Sequence, residues 1–136
     1  MKALPHALDY EKTIVVTPEL CVPAMAGVFP GFEGMPEVFA TAKMIALIEV
    51  ACVEALAPYL EPGERSVGTA VNVTHTAATG VGMRVTVRVK LSETNGRRLL
   101  FEVECRDEKE AIGVGQHERA IVELDRFLNR IDQKRR

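Results

Sequence analysis

The sequence predicts an α+β fold in which one strongly curved antiparallel sheet wraps around a single long helix. The first observation is that residues 36–57 are apolar almost all round and contain no helix breaker after Pro36, which is typical of a buried helix. The second is that apolar and polar residues alternate with a period of two through most of the chain after it, as half-buried strands do. The third is that only short turns separate those strands, so neighbouring strands run antiparallel.

The first 35 residues predict one strand and one long loop. Residues 10–17 are a short β-prone segment. Residues 18–35 then contain three prolines and three glycines, which interrupt regular structure. The same segment carries large apolar side chains, including Phe32. An apolar loop of this length packs on the body of a domain or acts as a lid, and we expect a lid.

The long helix is predicted over residues 36–57. Pro36 suits the first helical position, and Glu37 lies favourably near the positive end of the helix dipole. Pro58 and Gly63 follow closely and end the helix.

Four strands and a short final helix follow. The predicted strands span residues 67–77, 83–91, 99–105 and 111–124. Asn95 and Gly96 form a strong hairpin signal between the second and third of these strands, and Asp125 is the predicted N-cap of a helix over residues 125–136. A curved sheet around one helix is the hotdog architecture. Such units leave strand edges free unless they pair, so we expect a homodimer.

Size and composition favour one globular domain. The 136 residues are 47% apolar and 26% charged, ordinary values for a globular protein. The net charge of −2 gives no reason to expect nucleic acid as a partner. The longest apolar segment carries Lys43, Glu49 and Glu54, which excludes a membrane span. The three cysteines show no metal-ligand spacing and no signal peptide is evident, so we expect no metal and a reducing cytoplasm.

Two polar residues stand in apolar surroundings. With a period of two, His75 shares the apolar face of the strand predicted over residues 67–77. A buried imidazole needs a hydrogen-bond partner. The candidate partner is Glu49, a lone carboxylate in the middle of the long helix, either of the same chain or of a dimer partner. Because an unpaired buried carboxylate is costly, its presence there indicates a site.

A hydroxyl completes the candidate group. Thr41 lies eight residues before Glu49 on one drifting helical stripe, which separates the two residues by about 12 Å along the axis. Thr41, His75 and Glu49 supply a nucleophile or water positioner, a proton shuttle and an orienting base. The attacking group is left open among Thr41, a water held by His75, and Glu49 itself.

Several segments together resemble the fluoroacetyl-CoA thioesterases, a family of hotdog-fold acyl-CoA thioesterases. The resemblance runs from about Phe32 to the last strand. It is carried by residues 36–41 (PEVFAT), 49–53 (EVACV), 57–63 (APYLEPG), 68–70 (GTA), 73–79 (VTHTAAT) and 117–119 (HER). It implies a dimeric enzyme that hydrolyses a short acyl-CoA without a metal or an organic cofactor.

The resemblance also implies roles for particular residues. The family's catalytic threonine, glutamate and histidine fall on Thr41, Glu49 and His75. Its recognition of the small acyl group falls on Gly68 and Arg119. The lid keeps one family phenylalanine as Phe32 but has Met35 in place of the second, so the resemblance leaves discrimination of fluorine open. Two other functions fit the same residues: hydration of an enoyl-CoA, and binding of an acyl-CoA or another small ligand without catalysis.

Overall fold

A computed structural model describes residues 1–136 and contains one antiparallel sheet, one long helix and a C-terminal helix. The strands are β1 (Asp9–Val15), β2 (Glu64–Val73), β3 (Arg84–Asn95), β4 (Arg98–Asp107) and β5 (Ala111–Glu123), and the helices are α1 (Thr41–Leu56) and α2 (Leu124–Arg135). The spatial order of the strands is β1-β3-β4-β5-β2, and every neighbouring pair is antiparallel. The predicted α+β hotdog architecture is therefore confirmed.

The sheet folds because its central strands alternate as the sequence predicts. On β3, Val85, Val87 and Val89 are fully buried while Arg84 and Arg88 between and beside them are exposed. On β4 every second residue is likewise buried. Since both inner faces are apolar, a one-residue slip of either strand would turn its valines to water, which fixes the register. The core joins these strands to α1 through Met44, Leu47, Ile48, Ala51, Cys52, Ala55 and Leu56.

The long helix begins at Thr41 and not at Pro36, which corrects the predicted boundary. The residues before it are extended, and Val38 and Phe39 form isolated β-bridges with Gly80 and Cys21. The Phe39 N–H donates to the Thr79 carbonyl at 2.8 Å. These backbone groups are thus satisfied by neighbouring loops, which outweighs the local helix signal. At its other end α1 passes into a 3-10 turn, Ala57–Tyr59.

One side of α1 is open, which corrects the expectation of burial all round. Four apolar residues spaced three or four apart are exposed on that side: Ala42, Ala46, Val50 and Val53. Strand β2 lies at the edge of the sheet and is also largely exposed, with Val71 44% accessible. We call these two surfaces together the open face.

Three smaller boundaries also differ from the sequence predictions. Strand β2 ends at Val73, so His75 lies just beyond the strand, and a bulge interrupts β2 between Gly68 and Ala70. The β3–β4 hairpin has Gly96 and Arg97 as its loop, with Gly96 at φ +63°, one residue later than predicted. Helix α2 begins at Leu124 with Glu123 as N-cap, and not with Asp125. Neither helix has the length and apolarity needed to cross a bilayer.

Candidate active site

The structure brings Thr41 and His75 into direct contact. Oγ1 of Thr41 lies 2.7 Å from Nδ1 of His75. Thr41 is the first residue of α1, and its hydroxyl bonds the imidazole and not the helix backbone. His75 reaches this point because the chain after β2 continues along β5, with the Thr74 N–H on the Val114 carbonyl and the Thr76 N–H on the Ile112 carbonyl. Two backbone bonds therefore fix the histidine from both sides.

The imidazole of His75 is held neutral in an apolar pocket. The Phe39 ring meets it edge to face, with the ring centroids 6.3 Å apart. Burial lowers the pKa of His75 below its ordinary value of 6.5, because desolvation disfavours the charged form. Nε2 of His75 is buried and has no hydrogen-bond partner. A neutral imidazole bonded to a hydroxyl can accept that hydroxyl's proton.

An open cavity of about 250 Å³ lies beside this pair. Thr41 and His75 both line it, and the long loop contributes Val22 to its wall. The other lining residues are mostly apolar: Val38, Phe39, Thr76, Ala77 and Ala78. A small pocket whose wall is mostly apolar, with the three polar side chains of Thr41, His75 and Thr76, is typical of a site for a small ligand group.

Glu49 does not contact His75 within the chain, so their predicted pairing is not formed inside one subunit. Its Oε2 instead accepts from Nη1 of Arg119 at 3.0 Å in a salt bridge. The Glu49 side chain is 44% exposed, since it points to the open face of α1, so the carboxylate is not withdrawn from water in the single chain. Its second oxygen, Oε1, takes part in no hydrogen bond.

Arg119 is the most constrained charged residue of the site. It is 4% exposed. Its Nε donates to Ser66 Oγ and its Nη2 to the Ser66 carbonyl, both at 2.9 Å. Nη1 is also 3.1 Å from Nε2 of His117. Four of the five guanidinium N–H groups are thus used, and one N–H on Nη2 has no partner within the chain.

Gly68 is needed where it stands, because it packs directly on this ion pair. A Cβ added at Gly68 would lie 2.7 Å from Oε2 of Glu49, 3.2 Å from Cε1 of His117 and 3.4 Å from Nη1 of Arg119. The bulge after Gly68 is present as well, so the glycine serves both the strand and the close approach of these side chains.

His117 and Ser66 also belong to this cluster, although neither was predicted to have a role. His117 and Arg119 are two residues apart on β5 and both are buried, so the two-residue period already placed them on one inner face. Ser66 carries no comparable signal, because a serine on an edge strand is ordinary.

The lid residues lie apart from both groups. Phe32 is half-buried and meets Phe29 edge to face at a centroid distance of 6.1 Å. Met35 is 47% exposed. Neither lines the cavity beside Thr41 and His75, so their roles stay predictions.

The three cysteines belong to the hydrophobic core. Cys21, Cys52 and Cys105 are buried and free. Burial raises the pKa of Cys52 and that of Cys105 to about 12, so neither thiol supplies a thiolate nucleophile at neutral pH.

One chain therefore holds two separate groups of site residues. Thr41 and His75 form a hydroxyl–imidazole pair beside the cavity, and Glu49, Gly68, Ser66, His117 and Arg119 form a polar cluster under the open face. The first resembles the nucleophile–base part of an acyl-transfer site, and the second offers a carboxylate and a fixed cation.

Known proteins with similar sequence and structure agree on one family. The model of the fluoroacetyl-CoA-specific thioesterase family matches residues 16–125. A fluoroacetyl-CoA thioesterase of Streptantibioticus cattleyicolor is 50% identical over 120 residues, which cover 88% of this chain and 86% of that protein.

Two solved structures are similar as well. A fluoroacetyl-CoA thioesterase with a threonine-to-serine substitution, in complex with acetyl-CoA, is 45% identical with a TM-score of 0.92, covering 96% of this chain and 98% of that one. A thioesterase superfamily member of Thermus thermophilus is 30% identical with a TM-score of 0.86, covering 98% and 97%.

Proposed function

The chain belongs to the fluoroacetyl-CoA-specific thioesterase family and is an acyl-CoA thioesterase, and from this premise we propose that it hydrolyses a short acyl-CoA with Thr41, His75 and Glu49 as its catalytic group. The acyl group is of the size of acetyl or fluoroacetyl, in keeping with the small cavity beside Thr41. Gly68 and Arg119 contact that acyl group, and Phe32 and Met35 close over it. Family membership favours hydrolysis over hydration of an enoyl-CoA and over binding without catalysis.

The observation that carries the proposal is the 2.7 Å contact between the Thr41 hydroxyl and His75 Nδ1. We assign Nδ1 as the acceptor, which puts the imidazole proton on Nε2. In that tautomer Nε2 is a buried donor that lacks an acceptor, and such a donor is costly to leave unpaired. Oε1 of Glu49 forms no hydrogen bond within the chain and belongs to a side chain that is 44% exposed, so it is available to accept from such a donor.

A second copy of the chain brings these two atoms together. Glu49 lies on the same exposed helical stripe as Ala42, Ala46, Val50 and Val53, and β2 offers an unpaired edge next to it. Exposed apolar residues beside a free strand edge favour association. The proposed enzyme is therefore a homodimer in which Thr41 and His75 of one subunit work with Glu49 of the partner subunit.

The chemistry follows from these positions. Thr41 Oγ attacks the thioester carbonyl carbon while its proton passes to His75 Nδ1, and the imidazolium is stabilised by the carboxylate of Glu49 of the partner subunit. The carbon–sulfur bond breaks, and the CoA sulfur takes the proton from His75. Water then attacks the threonine ester with His75 again as base, which releases the acid and restores the hydroxyl. Metal or organic cofactors have no step in this scheme.

A complementation experiment tests the shared site. Thr41→Val and Glu49→Gln are each expected to be inactive. Mixed and allowed to exchange subunits, they form some dimers that have one intact site, with Thr41 from one subunit and Glu49 from the other. Random pairing then restores about a quarter of the wild-type activity. If both residues act within one chain, mixing restores nothing.

A substrate panel tests the reaction. Acetyl-, fluoroacetyl- and propionyl-CoA are expected to release free thiol and the corresponding acid, identified by mass spectrometry. An intact thioester with an added hydroxyl would indicate hydration instead, and no turnover by folded protein would refute hydrolysis of short acyl groups. We keep the cytoplasm as the expected compartment, to be checked by cell fractionation.

A further inference from the structure

We propose that His117 is a positioning residue that holds Arg119 in place as a neutral hydrogen-bond acceptor, and thereby sets how tightly the acyl group is bound. This inference rests on the proposed thioesterase function and deepens it by adding a residue to the acyl-binding side of the site. It starts from the buried polar cluster, because His117 is 3% exposed and has no part in the chemistry assigned to Thr41 and His75.

Both ring nitrogens of His117 are engaged, and their partners define its tautomer. Nδ1 lies 2.8 Å from the Ala70 carbonyl, which can only accept, so Nδ1 carries the proton. Nε2 lies 3.1 Å from Nη1 of Arg119, which can only donate, so Nε2 is unprotonated. The bond network thus requires a neutral imidazole.

This arrangement determines the direction of the Arg119 side chain. Ser66 holds the Nε and Nη2 side of the guanidinium, whereas Nη1 is shared between Glu49 and His117. Within the chain Glu49 is the more exposed of these two acceptors, with its side chain 44% accessible, whereas His117 is 3% exposed. His117 is therefore the rigid acceptor for Nη1, and it fixes the plane in which the free N–H of Nη2 is presented.

Protonation of His117 would change its contact with Arg119, given the groups that surround it. The charged groups that face it are Arg119 on its own strand and Glu49 on α1, while β2 offers the Ala70 carbonyl and Gly68, and its register partner on β4 is the apolar Phe101. A proton on Nε2 would replace the acceptor by a donor and place a second cation against Nη1. Arg119 would then turn away toward Glu49 or solvent.

Two substitutions separate the functions of the two nitrogens. His117→Gln keeps an acceptor oxygen near the position of Nε2 but loses the donor to Ala70. His117→Asn keeps a donor near the position of Nδ1 but loses the acceptor for Arg119. If His117 were only structural, the two variants would lose activity in proportion to their stability alone.

The two variants are expected to differ in kcat/KM. For acetyl-CoA hydrolysis, His117→Gln stays within about threefold of wild type in kcat/KM. His117→Asn loses about tenfold or more, mainly through KM, because a buried donor of Arg119 has lost its acceptor. His6→Asn, at an exposed histidine outside the cluster, is the matched control and leaves kinetics unchanged.

Equal losses in both variants, or retention by Asn and loss by Gln, would overturn the proposal. Failure of the wild type to hydrolyse any acyl-CoA would instead overturn the proposed function. A readout independent of turnover remains in that case. ¹⁵N NMR of the wild type at pH 7 is expected to show His117 protonated on Nδ1 and unprotonated on Nε2, and a proton on Nε2 would refute the assigned role.

Discussion

Thr41 and His75 are 34 residues apart in sequence and 2.7 Å apart in space, joined through the Oγ1 and Nδ1 atoms. The contact forms where the start of α1 meets the chain just beyond β2. Because Thr41 is the first helical residue, its hydroxyl points away from the helix body and toward the cavity that both side chains line. A hydroxyl and a neutral imidazole at this distance are ready for proton transfer before any substrate binds.

The first prediction follows from this contact. Thr41→Val keeps the shape of the side chain but removes the hydroxyl, and we expect kcat to fall by about 10²–10⁴ with little change in thermal stability. Thr41→Ser keeps the hydroxyl and is expected to retain much of the activity. Steady-state kinetics and thermal melts measure both variants.

Thr13→Val is the matched control for the loss of a hydroxyl. Oγ1 of Thr13 forms a hydrogen bond of the same length, 2.7 Å, with Oγ1 of Thr86 on the outer side of the sheet. The Thr13→Val substitution should leave kcat unchanged. Nearly full activity of Thr41→Val would exclude Thr41 as the attacking group and favour a water on His75 or Glu49.

The second prediction concerns Gly68. A methyl group at this position would meet Oε2 of Glu49 at 2.7 Å, and the end of a partly exposed side chain can move. Gly68→Ala should therefore fold, with a small change in melting temperature, but displace Glu49 and lower kcat/KM by about tenfold or more.

Substitutions at two other glycines serve as controls for Gly68→Ala. Gly63→Ala meets nothing within 4 Å and is expected to be neutral in both stability and activity. Gly113→Ala would press on the Thr74 carbonyl, a backbone atom that cannot yield, and should destabilise the fold itself. Wild-type kinetics for a folded Gly68→Ala would show that the spacing of Glu49 and Arg119 is not critical.

The sequence predicted the sheet well because the two-residue period of each strand directly gives the face that is buried. The alternation on β3 and β4 decides which face is buried, and the observed register pairs Val87 with Cys105 and Leu91 with Phe101 on that face. No tertiary contact has to override this pattern. The start of α1 was predicted five residues early for the opposite reason. Pro36 and Glu37 carry local helix signals, yet the Phe39 and Ala40 N–H groups bond the Thr79 and Leu20 carbonyls, which only the folded chain can supply.

Only part of the site was predicted, because its other contacts also form only in the folded chain. His75 and Glu49 were conspicuous as polar residues in apolar segments, and Arg119 was placed in the site by resemblance. Within one chain His75 bonds Thr41 and Glu49 bonds Arg119, so the predicted pairing of Glu49 with His75 is not formed inside the subunit and stays a prediction for the dimer. Sequence spacing gives the face on which a residue lies, but it does not show which polar side chains meet across the sheet. His117 was missed for this reason.

The third prediction tests whether the open face is an interface. Val53 is 41% exposed on α1 beside Glu49. Val53→Asp should leave a folded monomer with no activity, because a charge there opposes the burial that association requires. Leu128→Asp, at a 47% exposed residue of α2, is the matched control and should remain a fully active dimer. Light scattering coupled to size exclusion gives the mass of each, and an active Val53→Asp monomer would contradict the shared site.

The fourth prediction is a loss of stability in mild acid that originates in two histidines. Burial lowers the pKa of both His75 and His117 below 6.5. The unfolded chain therefore binds protons that the folded chain does not, so the free energy of unfolding is highest above pH 6.5 and falls as the pH drops through the lowered pKa values. Each histidine contributes a slope of at most about 1.4 kcal/mol per pH unit.

Urea titrations between pH 7.5 and pH 5.5 measure this effect with little interference from acidic groups. Carboxylates such as Asp9, whose pKa the Arg88 guanidinium lowers, begin to lose their contribution only below that range. His117→Gln removes one of the two titrating groups and should flatten the slope, whereas His6→Asn should leave it as in wild type. Equal slopes in wild type and His117→Gln would mean that His117 is as readily protonated in the folded protein as in the unfolded chain, and the neutral hydrogen bond to Arg119 could not then hold.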